Sequence, residues 1–255
     1  MAEHSKEFDV GVSLIRNASK LLMEYYNKTK INTMHNKGEN SIVTEADLST
    51  DEFIINGILE KFPLHSILSE ERGEIHGDSH RWIIDPLDGT RNFASGLPIW
   101  GTMLAFEADG IVKFSVISLP VFNEFYTARR GGGSFLNGDK IHVSTRENEF
   151  MNEFGMRYFD DPEIVEKFNS FVAKFYRRFR YFGSIGATGC FIASGRLDAS
   201  VLSKSKSWDI APSALLVEEA GGMATDFAGG SWKAQNGNYI LSNGKVHKQI
   251  LDVIR

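Results

Sequence analysis

An apolar run that stops on an acid and a proline constrains this chain more than any other feature. Trp82-Ile83-Ile84-Asp85-Pro86 has the β-branched, continuously apolar character of a buried strand, and Pro86 lacks the N–H needed to go on pairing. Asp85 is therefore expected at a strand end, with Asp88 three residues later in a turn that also holds Gly89 and Thr90. Such a turn aims two carboxylates and an intervening backbone carbonyl into one space, the hard oxygen set that suits Mg²⁺. Gly89 and Thr90 expose backbone N–H groups able to hold an anion. Taken by itself, the segment is equally a strand-end turn with two solvent-facing aspartates.

Around this segment, helical and strand patterns alternate. Spacing predicts an amphipathic helix over 5–27, with Phe8, Val12, Ile15, Leu22 and Tyr25 or Tyr26 inward. The polar stretch 31–41 reads as a mobile loop. Thr44-Glu-Ala-Asp47 has the form of a capping box, opening a helix that runs to about Phe62 and buries Phe53, Ile54 and Ile58 before Pro63 closes it. Strands are predicted at 66–69 and 81–84, and the apolar runs on either side of Ala108-Asp109-Gly110 make a hairpin over 100–118. Further strands at 124–128 and 133–136 precede a tight turn at Asn137-Gly138. Helices are expected over 162–176, over 210–220 with Gly221-Gly222 as a stop, and along the tail from 245 to 255. So many hairpins favour mixed sheets layered with helices over a purely parallel doubly wound fold.

Composition narrows the function classes. With 255 residues, 42% hydrophobic and 24% charged, the chain suffices for one domain or two packed halves, about 1–140 and 141–255. A net charge of −5 gives no basic field to draw nucleic acid or anionic lipid. Cys190, the single cysteine, cannot form an internal disulfide and reads as a core residue, which suits a reducing cytoplasm. The acidic start lacks a secretory pattern, and no stretch approaches the length of a membrane span. The seven histidines lack zinc-site spacing, and Gly131-Gly-Gly133 lacks the strand-to-helix setting of a nucleotide-phosphate loop. Arg177-Arg-Phe-Arg180 reads as a solvated helix end or a dimer-edge feature rather than an RNA or phosphate contact.

Three more acids bear on the turn at Asp85. Glu70 ends the strand at 66–69 and would meet Asp85 at one sheet edge, although alone it reads as half of a surface Glu pair. Asp209 opens the helix containing Pro212, as N-cap or as metal ligand. Asp47 either completes the cap with Thr44 or faces the same pocket.

In combination these pieces resemble the inositol monophosphatase family of Mg²⁺-dependent, lithium-sensitive phosphatases over nearly the whole chain. The matching strings are Lys37…Ser41-Ile-Val-Thr44-Glu-Ala-Asp47, Ser69-Glu70-Glu71, and Trp82-Ile-Ile-Asp85-Pro-Leu-Asp88-Gly-Thr90-Arg-Asn-Phe93. Gly183-Ser184, Gly195-Arg-Leu-Asp198 and Trp208-Asp209…Glu219-Ala-Gly-Gly222 follow in order. The resemblance implies an α/β fold, a layered αβαβα sandwich of the inositol monophosphatase and sugar phosphatase type, forming a single phosphatase domain that commonly dimerises. It implies that Glu70, Asp85 and the Leu87 carbonyl hold one Mg²⁺ and that Asp85, Asp88 and Asp209 hold a second, with Glu70 reaching a third through water. Thr90 and Asp47 would activate the attacking water, and Gly89 and Thr90 would give backbone N–H groups to the phosphate. Gly183, Ser184 and Ile185 would border the alcohol part of the substrate, beside Asp88 and Asp209, and Lys37 would lie in a mobile loop of the metal site.

Elementary electrostatics agrees with that assignment. Two carboxylates 4 Å apart repel by roughly 4 kcal/mol at an effective dielectric of 20, so converging acids call for cations. No Cys or His nucleophile is needed when the water attacks directly. One departure concerns selectivity: Leu202 stands where inositol-selective members carry a Glu that binds inositol hydroxyls. Ser203-Lys-Ser-Lys206 then puts two lysines near the expected mouth, as loop charges or as contacts for a second anionic group. Expected substrates are therefore a small phosphorylated metabolite such as inositol monophosphate, with histidinol phosphate, fructose 1,6-bisphosphate or a 3′-phosphoadenosine nucleotide as alternatives. A regulatory member that works through protein or RNA-polymerase partners, with little catalysis, is the alternative from another class.

Overall fold

In the computed structural model, described over residues 3–28, 34–38, 41–147, 152–153, 166 and 179–254, period-two alternation along the strands decides the layering. The strand β5 (His80–Asp88) sends Trp82 and Ile84 to one face and Ile83 to the other. Its neighbour β6 (Gly101–Ala108) does the same with Leu104 and Phe106 against Met103 and Ala105. Both faces of this sheet are apolar, so each must be covered.

The sheet is eight-stranded among the described residues. It combines β3 (Ser66–Ser69), β4 (Gly73–Ile75), β5, β6, β7 (Ile111–Leu119), β8 (Glu124–Arg129), β9 (Gly133–Leu136) and β10 (Asp139–Lys140) in the order β10-β9-β8-β7-β6-β5-β3-β4. Only the pairing of β3 with β5 is parallel there; the other pairings are antiparallel hairpins and meanders. On one face lie α1 (Ser5–Lys28) and α2 (Glu45–Lys61), which bury Leu14, Ile15, Ile54, Ile55 and Ile58 against Trp82, Phe106 and Phe114.

The other face packs on α4 (Ile185–Ala193) and α5 (Ser207–Glu219). Beyond those helices comes a five-stranded sheet of β11 (Asn152–Glu153), β12 (Phe179–Arg180), β13 (Ala199–Ser205), β14 (Met223–Asp226) and β15 (Gly237–Ser242). Its Leu202, Tyr239 and Leu241 join the inner core, while Ala199, Val201 and Ile240 face α6 (His247–Ile254). The order of layers is helix, sheet, helix, sheet, helix, as the resemblance implies. α4 and most of α5 are buried on every side because sheets cover them on both sides, and the polar groups they carry inward, such as Asp209, are buried with them.

Several local expectations are corrected. The stretch 31–41 carries a hairpin rather than only a loop: β1 (Met34–Gly38) pairs antiparallel with β2 (Ser41–Thr44), which places Lys37 in a strand. Beyond Met34 its first strand holds only His, Asn, Lys and Gly, so no apolar alternation announces it. Phe53 is exposed, because the buried stripe of α2 runs through Ala46, Thr50, Ile54 and Ile58, about 100° away around the helix. The helix expected over 162–176 lies outside the described residues apart from Glu166, and so do Arg177 and Arg178.

Candidate active site

Three buried carboxylates converge where the larger sheet meets the inner helix layer. Asp85, Asp88 and Asp209 each offer an oxygen within 4.8 Å of the other two. Two residues three apart on a regular strand point to opposite faces. Here β5 does not stop at Asp85-Pro86 as expected but runs on to Asp88, with a bulge between Asp85 and Asp88 in its register against β6. The bulge brings both acids to one side and leaves Pro86 where no ladder bond requires its missing N–H. Asp85 Oδ1 accepts the Leu87 N–H at 3.1 Å.

Asp88 is held by the start of α4. Its Oδ1 accepts the Ile185 N–H at 3.0 Å, and its Oδ2 accepts the Gly186 N–H at 2.9 Å and the Ser184 hydroxyl. Ser184 also caps this helix, accepting the Ala187 N–H at 3.1 Å. A Cβ on Gly186 would lie 2.9 Å from Asp88 Oδ2 and 3.0 Å from Met103 Sδ, so the helix approaches this closely only with glycine there. Burial pushes the Asp88 carboxyl up to about 6, opposed by the Ser184 hydrogen bond and reinforced by the charge of Asp209.

Asp209 is not the N-cap of its helix. α5 begins at Ser207, so Asp209 is its third residue, and its Oδ2 accepts the Lys206 N–H at 2.9 Å. An acid at this position serves the unpaired amides of the first turn from inside the helix, which a sequence scan mistakes for a cap one turn later.

Asp47 and Thr90 form a second pair beside this triad. The capping box is present: Thr44 donates its N–H to Asp47 Oδ2 at 2.8 Å, and the Thr44 hydroxyl donates to the same oxygen. Thr90 Oγ1 has Asp47 Oδ1 at 3.1 Å and the Leu87 carbonyl at 3.0 Å as acceptors. Burial pushes the Asp47 carboxyl up to about 6, although the Thr44 hydrogen bonds pull it down. Glu70 follows the last pair of the β3–β5 register, Ser69 with Ile84, and donates its N–H to the Ile84 carbonyl at 3.2 Å; the cluster of carboxylate oxygens itself comprises Asp85, Asp88 and Asp209.

The remaining expected residues fall as follows. Gly89 has φ 84° and leads into the short helix α3 (Thr90–Ala94). A Cβ there would also stand 3.0 Å from the Ile99 carbonyl. Ser184 and Ile185 contact Asp88, and Gly183 lies against Asn92, which donates Nδ2 to the carbonyls of Ile99 and Phe182, both at 2.6 Å. Leu202 is buried in the inner core opposite Tyr239, and Lys204 and Lys206 are exposed. Cys190 is a core residue whose thiol burial pushes well up.

Sequence reasoning missed two features. Gly186 gives no sign of what its absent side chain avoids, although Ser184 three residues before Ala187 is an N-cap signal. The scattered histidines do meet, since His65, Asp78 and His80 bring ligand atoms within 4.8 Å. Trp82 Nε1 donates to His65 Nδ1 at 3.0 Å, however, which keeps that ring's proton on Nε2 and leaves it no lone pair to offer a metal.

The donor set of the aspartate triad is all carboxylate oxygen, which fits Mg²⁺, and three buried anions this close need a cation. Comparison with known proteins points the same way. The family model described as the inositol monophosphatase family matches residues 3–255. A Thermotoga maritima protein named fructose-1,6-bisphosphatase/inositol-1-monophosphatase is 36% identical over 246 residues, covering 96% of this chain and 94% of its own. The Escherichia coli K12 protein named Nus factor SuhB is 32% identical over 253 residues, covering 97% and 95%. Among solved structures, the extragenic suppressor protein suhB of Bartonella henselae superposes with a TM-score of 0.93 at 30% identity, covering 98% of this chain and 99% of that one.

Proposed function

The chain belongs to the inositol monophosphatase family, and from that premise we propose that it hydrolyses a small phosphate monoester, such as inositol monophosphate, with Mg²⁺. The observation that carries the reading is the convergence of Asp85, Asp88 and Asp209 beside the Thr90–Asp47 pair. Asp85, Asp88 and Asp209, with Glu70 and the Leu87 carbonyl, would hold two or three Mg²⁺ ions. Bound Mg²⁺ supplies the positive charge that lets a phosphate dianion approach and makes a water acidic enough to attack.

The chain's own residues manage the proton and the substrate. Thr90 takes a proton from the water onto Oγ1 as its own passes to Asp47 Oδ1, so the threonine stays neutral. Asp47, with a carboxyl near 6, is a base of suitable strength for work near neutral pH. Thr44 steadies its other oxygen. The backbone N–H groups of Gly89 and Thr90 bind phosphate oxygens, and Gly183, Ser184 and Ile185 border the alcohol. By the family resemblance Lys37 is assigned to the loop that borders the metal site. The chain is proposed to act in the cytoplasm as a homodimer, in keeping with its single buried cysteine and its family.

The substrate panel that tests this compares inositol, histidinol, sugar and nucleotide phosphates with and without Mg²⁺. Mg²⁺-dependent release of phosphate from at least one of them is expected. A second reading is supported by the 32% identity to a protein named as a Nus factor: a regulatory role through a protein partner, with little catalysis. Tight Mg²⁺ binding without turnover on the panel would favour it.

A further inference from the structure

Glu70 sits in the turn that joins β3 to β4, and turns are poor platforms for a metal ligand unless something fixes them. We propose that Asp51 is a positioning residue that sets the Glu70 corner of the metal site by gripping the residues on either side of it, an inference that rests on the metal-site reading above. Asp51 is 1% exposed and lies one helical turn beyond Asp47 on α2. Ser69, itself fully buried, donates its hydroxyl to Asp51 Oδ1. Arg72 Nε stands 3.4 Å from Asp51 Oδ2. One buried carboxylate thus hydrogen-bonds Ser69 and stands in ion-pair range of Arg72, the two residues that bracket Glu70 and Glu71.

The turn is tied further from within. Ser69 Oγ accepts the Glu71 N–H at 3.3 Å, and the Glu70 N–H is donated to Ile84 on β5 at 3.2 Å. Glu70 therefore has its backbone fixed to the strand that delivers Asp85, while its neighbours are fixed to α2. A buried acid paired with a half-exposed arginine adds little net stability over an apolar residue of the same size. What it adds here is direction. Because Asp47 and Asp51 are four residues apart, they share one face of a rigid helix, and that helix sets the spacing between the Thr90 partner and the Glu70 turn.

Calorimetric titration of the full chain with Mg²⁺, alongside thermal melting, tests the proposal. Wild type, Asp209→Asn, Ser69→Ala, Asp51→Asn and the Ser69→Ala/Asp51→Asn double variant are compared. Ser69→Ala and Asp51→Asn are each expected to bind Mg²⁺ about 10-fold more weakly while melting within a few degrees of wild type, and their turnover at saturating Mg²⁺ should return to near the wild-type value. The double variant should bind no worse than the weaker single one, since both changes release the same turn. If Asp51→Asn fails to fold, Ser69→Ala decides. A folded Ser69→Ala that binds Mg²⁺ as wild type does overturns the role of Asp51 and leaves the metal site standing. Wild type that binds no more Mg²⁺ than Asp209→Asn overturns the metal-site reading, and this inference with it.

Discussion

The Thr90 hydroxyl lies 3.1 Å from a carboxylate oxygen of Asp47, a residue of the helix α2 far earlier in the chain. The two belong to different elements and meet only because α2 packs on the sheet that carries Thr90 past the end of β5.

This contact gives the first prediction. Thr90→Val and Asp47→Asn should each lower kcat by about 10²- to 10⁴-fold, the range for loss of a positioned proton acceptor. Mg²⁺ affinity should change little, because neither side chain belongs to the aspartate triad. Thr90→Ser, which keeps the hydroxyl, should retain most of the turnover. Steady-state kinetics with a separate metal titration reads all three.

Asp88 should make stability depend on pH in the metal-free protein. Its carboxyl rises from the ordinary 3.8 to about 6 on folding, so the folded state holds that proton more tightly than the unfolded chain does. Stability from this group is complete below about 4 and is lost as pH rises through about 6. Urea unfolding in a chelator should therefore show Asp88→Asn gaining on wild type between these values, by at most about 3 kcal/mol. With saturating Mg²⁺ the ranking should reverse, since wild type alone keeps the full ligand set. A flat difference curve would contradict the account.

His247 carries the opposite sign. Thr225 and Ser242 flank its two ring nitrogens at 2.9 and 2.8 Å, and burial holds its pKa below the ordinary 6.5. The folded state disfavours the imidazolium, so the contribution is present above 6.5 and lost as pH falls below it. Wild type should lose stability relative to His247→Asn across that acid range, with phosphatase kinetics at neutral pH unaffected in both.

Gly186→Ala should displace Asp88. The new Cβ would sit 2.9 Å from Asp88 Oδ2, and either the carboxylate or α4 must give way. The expected outcome is weaker Mg²⁺ binding together with about 1–3 kcal/mol of lost stability, read by titration and urea unfolding. Unchanged binding would show that the helix start can shift at no consequence to the site.

How far the sequence announces all this depends on where each signal resides. Asp85 and Asp88 are legible because Trp82-Ile-Ile and Pro86 write strand and interruption directly into neighbouring residues. The bulge that turns both acids to one side is not, since it exists only in the register against β6. The Thr44–Asp47 box is local and is read correctly, whereas Phe53 is misplaced by one step around the helix. Gly186, and the grip of Asp51 on Ser69 and Arg72, depend on contacts between distant elements that no window of sequence contains. The layering was readable in outline from the hairpins, while the position of α4 and α5 between two sheets needed both faces of each strand.

That sandwiched helix layer has a consequence for assembly. Asp85 and Asp88 ride on the first sheet, whereas Asp209 enters from a helix formed more than a hundred residues downstream. A nascent or truncated chain holding only the earlier strands would own two of the three acids and no completed cage. An ion seated there would act as a staple across a very long loop, so occupancy should report that the last parts have docked.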